Sequence, residues 1–116
     1  MYIRTKNRIY QVESTLRTHG LITGYIVGEM AVIKKDQVIG QFENLEKLCD
    51  GFYIDEGNGF SFYKENAYED FEEAKEVFKK EFDNTSTLYG FIKTRKGLIY
   101  VAKMNDKESL ELIWCL

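Results

Sequence analysis

The sequence of 116 residues has no proline, a single histidine and two cysteines. One histidine, His19, cannot supply an acid–base pair or a metal cluster built from histidines. Cys49 and Cys115 lie far apart and form no Cys-x-x-Cys pair, so neither a disulfide framework nor a zinc knuckle is predicted. Both cysteines have apolar neighbours, where thiols are usually inert, which argues against a nucleophile made of cysteine and histidine. The lack of proline, together with an excess of lysine over arginine and many isoleucines, tyrosines and asparagines, is typical of coding bias in an AT-rich genome.

Long apolar runs and catalytic motifs are missing as well. No stretch approaches the roughly 20 apolar residues that a membrane-spanning helix needs, and the first residues contain no apolar run of signal-peptide length. We therefore expect a cytoplasmic protein without a membrane partner. The sequence contains no dinucleotide-binding glycine motif, phosphate-binding loop or serine nucleophile elbow. Asp50, Asp55 and Glu56 match no calcium-loop or two-metal spacing. The prediction is a protein that is not an enzyme, with no catalytic residue, no metal and no cofactor.

The composition that remains is that of one globular domain. Hydrophobic residues make up 44% of the chain and charged residues 30%, the balance of a soluble globular protein. The length is near the commonest domain size and suffices to bury one core. We predict a single α+β domain over residues 1–116.

Alternation of apolar and polar residues predicts many strands. In the first half, which is expected to form an antiparallel meander, they lie at about residues 2–5, 8–13, 21–28, 30–34 and 38–42. A short helix is expected at about 44–50, where apolar residues share one face. Beyond it, the segments 52–54 and 60–63 flank Asn58-Gly59, a dipeptide typical of hairpin turns, which predicts another strand pair. The last strands are expected at about 88–94, 98–104 and 109–115.

One longer amphipathic helix is predicted at about residues 67–82. Asn66 can cap it, and Glu69 can reach back to the cap. Five apolar residues fall on one arc of this helix, namely Ala67, Phe71, Ala74, Phe78 and Phe82. Such a stripe needs a partner surface, and the apolar face of an antiparallel sheet is the one large enough. The expected fold class is therefore α+β, an antiparallel sheet of hairpins packed against one main helix and a short one.

The two ends of the chain echo each other. The segment Tyr2–Lys6 matches Phe91–Arg95 type for type, and each copy predicts a β-hairpin with a basic turn. A duplication explains the echo, and so does the resemblance of all strand-turn-strand segments. If the hairpins lie side by side, their basic tips form a patch that can contact phosphates. The alternative is that these cations keep strand edges soluble. The candidate nucleic-acid-binding residues are Arg4, Lys6, Lys93 and Arg95.

The opposite charge is concentrated on the main helix. Carboxylates along a rigid helix can imitate a phosphate backbone and occupy a basic channel on a partner, or they can simply solvate the helix. Tyrosines near this helix are expected to stay partly exposed, since tyrosine is favoured at protein interfaces; covering the sheet edge is the other role open to them. The candidate partner-binding residues are Glu69, Glu72, Glu73, Glu76, Tyr53, Tyr63 and Tyr68.

Three stretches carry a resemblance to known proteins. Met1–Lys6, Leu45–Asp50 and Tyr89–Lys107 resemble small phage and prophage proteins of low-GC Gram-positive bacteria. This resemblance implies an accessory protein that binds and inhibits a host protein, either a defence protein, in the manner of an anti-CRISPR protein acting on a CRISPR nuclease, or a nucleic-acid-processing protein. It brings no catalytic residues. The alternative function is nucleic-acid binding through the hairpin tips, and the expected state is a monomer or a homodimer paired at strand edges.

Overall fold

The computed structural model describes residues 1–6, 8–11, 21–26, 29–57, 63–82 and 85–113. Within these ranges the chain is α+β, as predicted, with ten strands in two antiparallel sheets and two α-helices. The chain groups into two compact units, which we call unit 1 (Met1–Leu48) and unit 2 (Cys49–Ile113). That both belong to one domain stays a prediction. His19, Cys115 and the predicted strand and turn at 58–62 lie outside the described residues.

Unit 1 holds a five-stranded sheet in the order β4-β3-β2-β1-β5. Its strands are β1 Tyr2–Thr5, β2 Ile9–Gln11, β3 Leu21–Ile26, β4 Glu29–Lys34 and β5 Val38–Phe42. The first four pair with their neighbours in sequence, as the meander prediction requires. The fifth departs from it, because β5 pairs with β1 on the far side of the sheet, with Ile3 opposite Gln41.

The position of β5 requires the first sheet to bend. A single 3-10 turn, Lys35–Gln37, joins β4 to β5, and its four peptide steps reach at most about 14 Å. Five strands side by side in a flat sheet would separate the outer two by about 19 Å. Ile3 of β1 and Ile33 of β4 are buried in one cluster, against which Tyr10 and Val38 pack. The sheet therefore curls around these side chains.

The short helix is confirmed as α1, Leu45–Leu48. Its first turn is capped by Asn44, whose Oδ1 accepts a hydrogen bond of 2.9 Å from the Lys47 amide. Leu45 and Leu48 are both buried, so α1 contributes an apolar face to unit 1.

Unit 2 holds the second sheet, in the order β10-β9-β8-β6-β7. Its strands are β6 Gly51–Asp55, β7 Ala67–Tyr68, β8 Thr87–Thr94, β9 Gly97–Met104 and β10 Leu110–Leu112. The described partners of β6 are β7 and β8.

The main helix, α2, spans Phe71–Glu81 and begins later than predicted. The start at Ala67 is wrong because Ala67 and Tyr68 are extended and pair with β6. Asp70, not Asn66, is the cap, since its Oδ2 accepts a 3.0 Å hydrogen bond from the Glu73 amide. The Asn66 side chain is buried and donates instead to the Ile54 carbonyl, at 3.1 Å. Helix and sheet meet where the Phe71 and Phe52 rings lie 5.3 Å apart.

Both predicted end hairpins are confirmed, and they share a detail of their turns. In β1–β2 the Arg8 amide donates to Thr5 Oγ1 at 3.1 Å, and that hydroxyl donates to the Arg8 carbonyl at 3.2 Å. In β8–β9 the Lys96 amide donates to Thr94 Oγ1 at 3.2 Å, and that hydroxyl donates to the Gly97 carbonyl at 2.9 Å. Thr5 and Thr94 occupy matching positions in the sequence echo. The echo is therefore structural, although the hairpins belong to different sheets.

Candidate partner-binding site

Half of the predicted acidic face is paired with lysines. Glu69, Glu72, Glu73 and Glu76 are all exposed, but Glu72 Oε2 lies 4.0 Å from Lys75 Nζ and Glu76 Oε1 lies 2.7 Å from Lys80 Nζ. The hydrogen bond from Lys80 lowers the pKa of the Glu76 carboxyl. On this side of the helix a partner would meet two lysines among four glutamates, which reduces the negative charge without removing it.

A third lysine of the helix is paired across the fold. Lys79 forms an ion pair with Glu108 in the turn that joins β9 to β10. The hydrogen bond from Lys79 lowers the pKa of the Glu108 carboxyl. Exposed pairs of this kind stabilise a protein little, and their main effect here is to neutralise this flank of α2.

The other flank of α2 borders a cleft of about 620 Å³ that contains three carboxylates. Glu56 follows β6, Glu65 lies in the 3-10 turn Lys64–Asn66, and Glu81 ends α2. No lysine or arginine is among the described residues that line it, which are Glu56, Glu65, Asn66, Tyr68, Glu81, Phe82, Thr85 and Ser86. We call this the acidic cleft.

Two polar side chains organise the acidic cleft. Buried Asn66 donates from Nδ2 to Glu56 Oε1 at 3.3 Å. Tyr68 is half-buried, and its pKa is raised, mainly by burial and further by the charges of Glu81 and Glu73. Its hydroxyl therefore stays protonated beside carboxylates. Of the predicted glutamates, Glu73 is the one whose charge acts on a residue of the cleft.

The three predicted tyrosines differ in exposure, and Tyr68, described above, is the half-buried one. Tyr63 is 41% exposed, whereas Tyr53 is only 3% exposed, so the expectation of an exposed Tyr53 is wrong. The Tyr53 hydroxyl accepts a 3.0 Å hydrogen bond from the Tyr63 amide. Its ring stacks on Tyr100 at 6.0 Å, and Tyr100 stacks on Tyr89 at 4.7 Å. Tyr53 was expected to stay partly exposed because tyrosine is favoured at protein interfaces, but this face of unit 2 is packed with aromatic rings.

The tyrosine stack predicts a loss of stability at alkaline pH. Burial, followed by the nearby Tyr53, Asp55 and Tyr89, raises the pKa of Tyr100 from 10.0 to about 12. Folding thus favours the protonated phenol, so its contribution is complete below pH 10 and declines as the pH rises towards 12. Chemical denaturation at several pH values should show this decline, and it should be smaller in Tyr100→Phe. An equal decline in both proteins would contradict the assignment.

A basic pocket lies in unit 1, beside the turn of the first hairpin. Lys6 and Arg8 line it together with Tyr10 and the exposed Ile39, and its volume is about 510 Å³. The remaining lining residues are Thr5, Asp36 and Gln37. Of the four predicted nucleic-acid-binding residues, only Lys6 lines this pocket. Arg4 is half-buried in β1, and exposed Lys93 and Arg95 belong to the second hairpin.

Sequence reasoning missed several residues of both sites. Glu81 could have been found, because it lies eight residues after Glu73 and so on the same side of a helix. Glu56 and Glu65 carry no such signal, since the β6–β7 pairing brings them near α2. The positions of Tyr10 and Gln37 in the basic pocket likewise depend on the bend of the first sheet, which the sequence does not show.

Among the described residues, no three histidine, cysteine, aspartate or glutamate side chains are grouped so that they could hold a metal ion, and no helix is long and apolar enough to cross a membrane. Comparison with protein-family models, with curated proteins and with solved structures gives no match to this chain. The chemistry of the two sites is therefore the basis for a functional assignment.

Proposed function

We propose that this chain is a non-enzymatic binding protein whose acidic cleft receives a basic segment of a partner protein. The observation that carries the proposal is the concentration of Glu56, Glu65 and Glu81 in one cleft whose described lining contains no cation. Carboxylates in a cleft can accept paired hydrogen bonds from an arginine. The protonated Tyr68 adds a donor and a large contact area at low entropic cost.

The resemblance to phage and prophage proteins suggests the kind of partner. A host defence nuclease or another nucleic-acid-processing protein has a basic channel for its substrate, and an acidic surface can occupy such a channel. Under this proposal the protein acts in the cytoplasm of a bacterial host, where it inhibits its target by competing with nucleic acid. Its inhibition should therefore weaken as salt screens the charges.

The test compares two double variants with the same change in net charge. Glu65→Gln with Glu81→Gln alters the acidic cleft, whereas Glu72→Gln with Glu76→Gln alters the lysine-paired side. Tagged proteins are used to capture partners from lysate of a low-GC Gram-positive host, with and without nuclease treatment, and the affinity of the purified partner is then measured. We expect the first variant to bind at least about tenfold more weakly and the second within about twofold of the unmodified protein.

Two results would contradict this proposal. One is an equal effect of both double variants, which would indicate general electrostatics rather than a cleft. The other is retention of partners only through nucleic acid, so that nuclease treatment removes them.

A second candidate function, binding of single-stranded nucleic acid, is favoured by the basic pocket. Lys6 and Arg8 can contact phosphates there, and the half-buried Tyr10 offers a ring on which a base can stack. The hydrogen bonds between Thr5 and Arg8 hold the turn that carries both cations.

Neutralising this pocket should weaken nucleic-acid binding more than neutralising the other hairpin. Lys6→Gln with Arg8→Gln should lower both the affinity for a labelled oligonucleotide and its salt dependence, by about one to two units of slope. Lys93→Gln with Arg95→Gln is the control of equal charge. If no oligonucleotide binds at low salt, or if the two variants behave alike, the pocket has no such role.

A further inference from the structure

The acidic cleft continues into a second cleft at the end of α2. This second cleft has a volume of about 680 Å³, and it shares Phe82 and Ser86 with the acidic cleft. Its other described lining residues are Phe78, Lys79, Thr87, Leu88, Lys103, Met104, Asn105, Asp106 and Glu111. All of them belong to unit 2. We call it the apolar cleft after the four apolar side chains that form its floor, although polar and charged side chains make up most of its exposed lining.

The floor is built from apolar side chains of three elements. Phe78 comes from α2, Leu88 from β8 and Met104 from β9, and Phe82 follows the helix. Leu88 is buried, while the other three remain half-buried and so accessible from the cleft. An apolar side chain placed on this floor would remove both its own surface and theirs from water.

The rim of the apolar cleft is balanced in charge, unlike the acidic cleft. The lining of the apolar cleft contains two lysines, Lys79 and Lys103, and two carboxylates, Asp106 and Glu111. Lys103 lies directly opposite Glu111 in the β9–β10 pair. The two clefts therefore differ in what they can accept. One end offers three carboxylates, and the other offers an apolar floor without excess charge.

We propose that the two clefts form one groove for an extended peptide segment of the partner, in which an arginine or lysine is followed or preceded within a few residues by a large aliphatic side chain. This proposal rests on the proposed function and adds the second half of the recognised segment. Charge complementarity places the basic residue of the peptide in the acidic cleft. Because Phe82 lines both clefts, a residue close to it in the peptide can reach the apolar floor. Phosphate-bearing ligands do not fit, because the carboxylates would repel them.

The test uses four short fluorescein-labelled peptides that are identical except at two positions. They carry arginine and leucine, arginine and serine, serine and leucine, or serine at both positions, and their affinities are measured by fluorescence polarisation. We expect the first to bind at least about tenfold more tightly than each peptide with one replacement. Arginine amide alone serves as a small cation and should bind more weakly still.

Variants of the full chain assign each preference to its cleft. Met104→Ser should remove the preference for leucine and keep that for arginine. Leu98→Ser is the matched control, since Leu98 lies on the same strand, is 40% exposed and is not part of the groove. Glu65→Gln with Glu81→Gln should remove the preference for arginine and keep that for leucine. If Met104→Ser fails to fold, an NMR titration of the unmodified protein replaces this variant. Adding the first peptide should then shift the amide resonances near Phe78, Leu88 and Met104.

The outcomes separate this proposal from the one on which it rests. A preference for arginine with none for leucine, or arginine amide binding as tightly as the first peptide, overturns the groove and leaves the acidic cleft as the binding site. No preference for arginine overturns both proposals. Absence of shifts at the apolar floor while the first peptide binds overturns the groove alone.

Discussion

Phe52→Ala should lower the free energy of unfolding of unit 2 by about 3–5 kcal/mol, the range for removing a phenylalanine from a core. Phe52 is 1% exposed and packs on Phe71, so it holds α2 against the sheet. Since small domains are stable by only about 5–15 kcal/mol, this loss is a large share of the total. Denaturation followed by circular dichroism measures it.

An exposed apolar residue of the same sheet provides the control. Leu98→Ala also truncates an apolar side chain, but Leu98 is 40% exposed, so its loss should change stability by no more than about 0.5 kcal/mol. Similar effects of both substitutions would mean that Phe52 is not the residue on which the helix packs.

Gly90→Ala should destabilise unit 2 by about 1–3 kcal/mol, although it adds only one methyl group. A Cβ at Gly90 would lie 2.5 Å from Cys49 Sγ, well inside van der Waals contact. Gly90 is buried in β8, and Phe52 and Ala102 are its partners on the neighbouring strands. The backbone has little freedom to move away, so the sulfur must be displaced.

A second substitution identifies the cause of this destabilisation. In a Cys49→Ala background the sulfur is gone, and the next contacts of the added Cβ are at 3.5 Å, an ordinary distance. Gly90→Ala should then be nearly neutral, which corresponds to a coupling of about 1–3 kcal/mol between the two sites. If Gly90→Ala is equally harmful in both backgrounds, the clash with Cys49 is not the reason.

Local patterns predicted the elements of this fold better than their long-range pairing. The hairpins at both ends, α1 and the apolar face of α2 all follow from residues that are close in sequence. The start of α2 does not, because Asn66 and Asp70 are both good capping residues. The choice between them is made by the pairing of Ala67 and Tyr68 with β6, which the sequence does not show. The pairing of β5 with β1 was not predicted for the same reason, because it is a long-range contact that the sequence does not show.

The candidate site was predicted in part for a related reason. Periodicity placed glutamates on the exposed side of α2, and Tyr68 was expected near them. Helical periodicity could not indicate that Glu76 is paired with Lys80. Nor could it indicate that Glu56 and Glu65, which lie in turns flanking β6 and β7, line the same cleft as Glu81. Tyr53 was expected to be exposed because tyrosine is favoured at interfaces, and residue type carries no information on which rings cover a strand.

The short connection between β4 and β5 also affects how copies of this protein can associate. It brings the ends of the two outer strands of the first sheet together, so a chain adding to one edge must pass close to the other. In the second sheet the outer strands are β7, with two residues, and β10, with three, which offer few backbone groups for pairing. Among the described strands, the second sheet has only short edges, and the six-residue edge strand β4 of the first sheet belongs to a sheet that bends. Growth of a continuous intermolecular ladder is therefore disfavoured by the topology itself, even without proline to interrupt it.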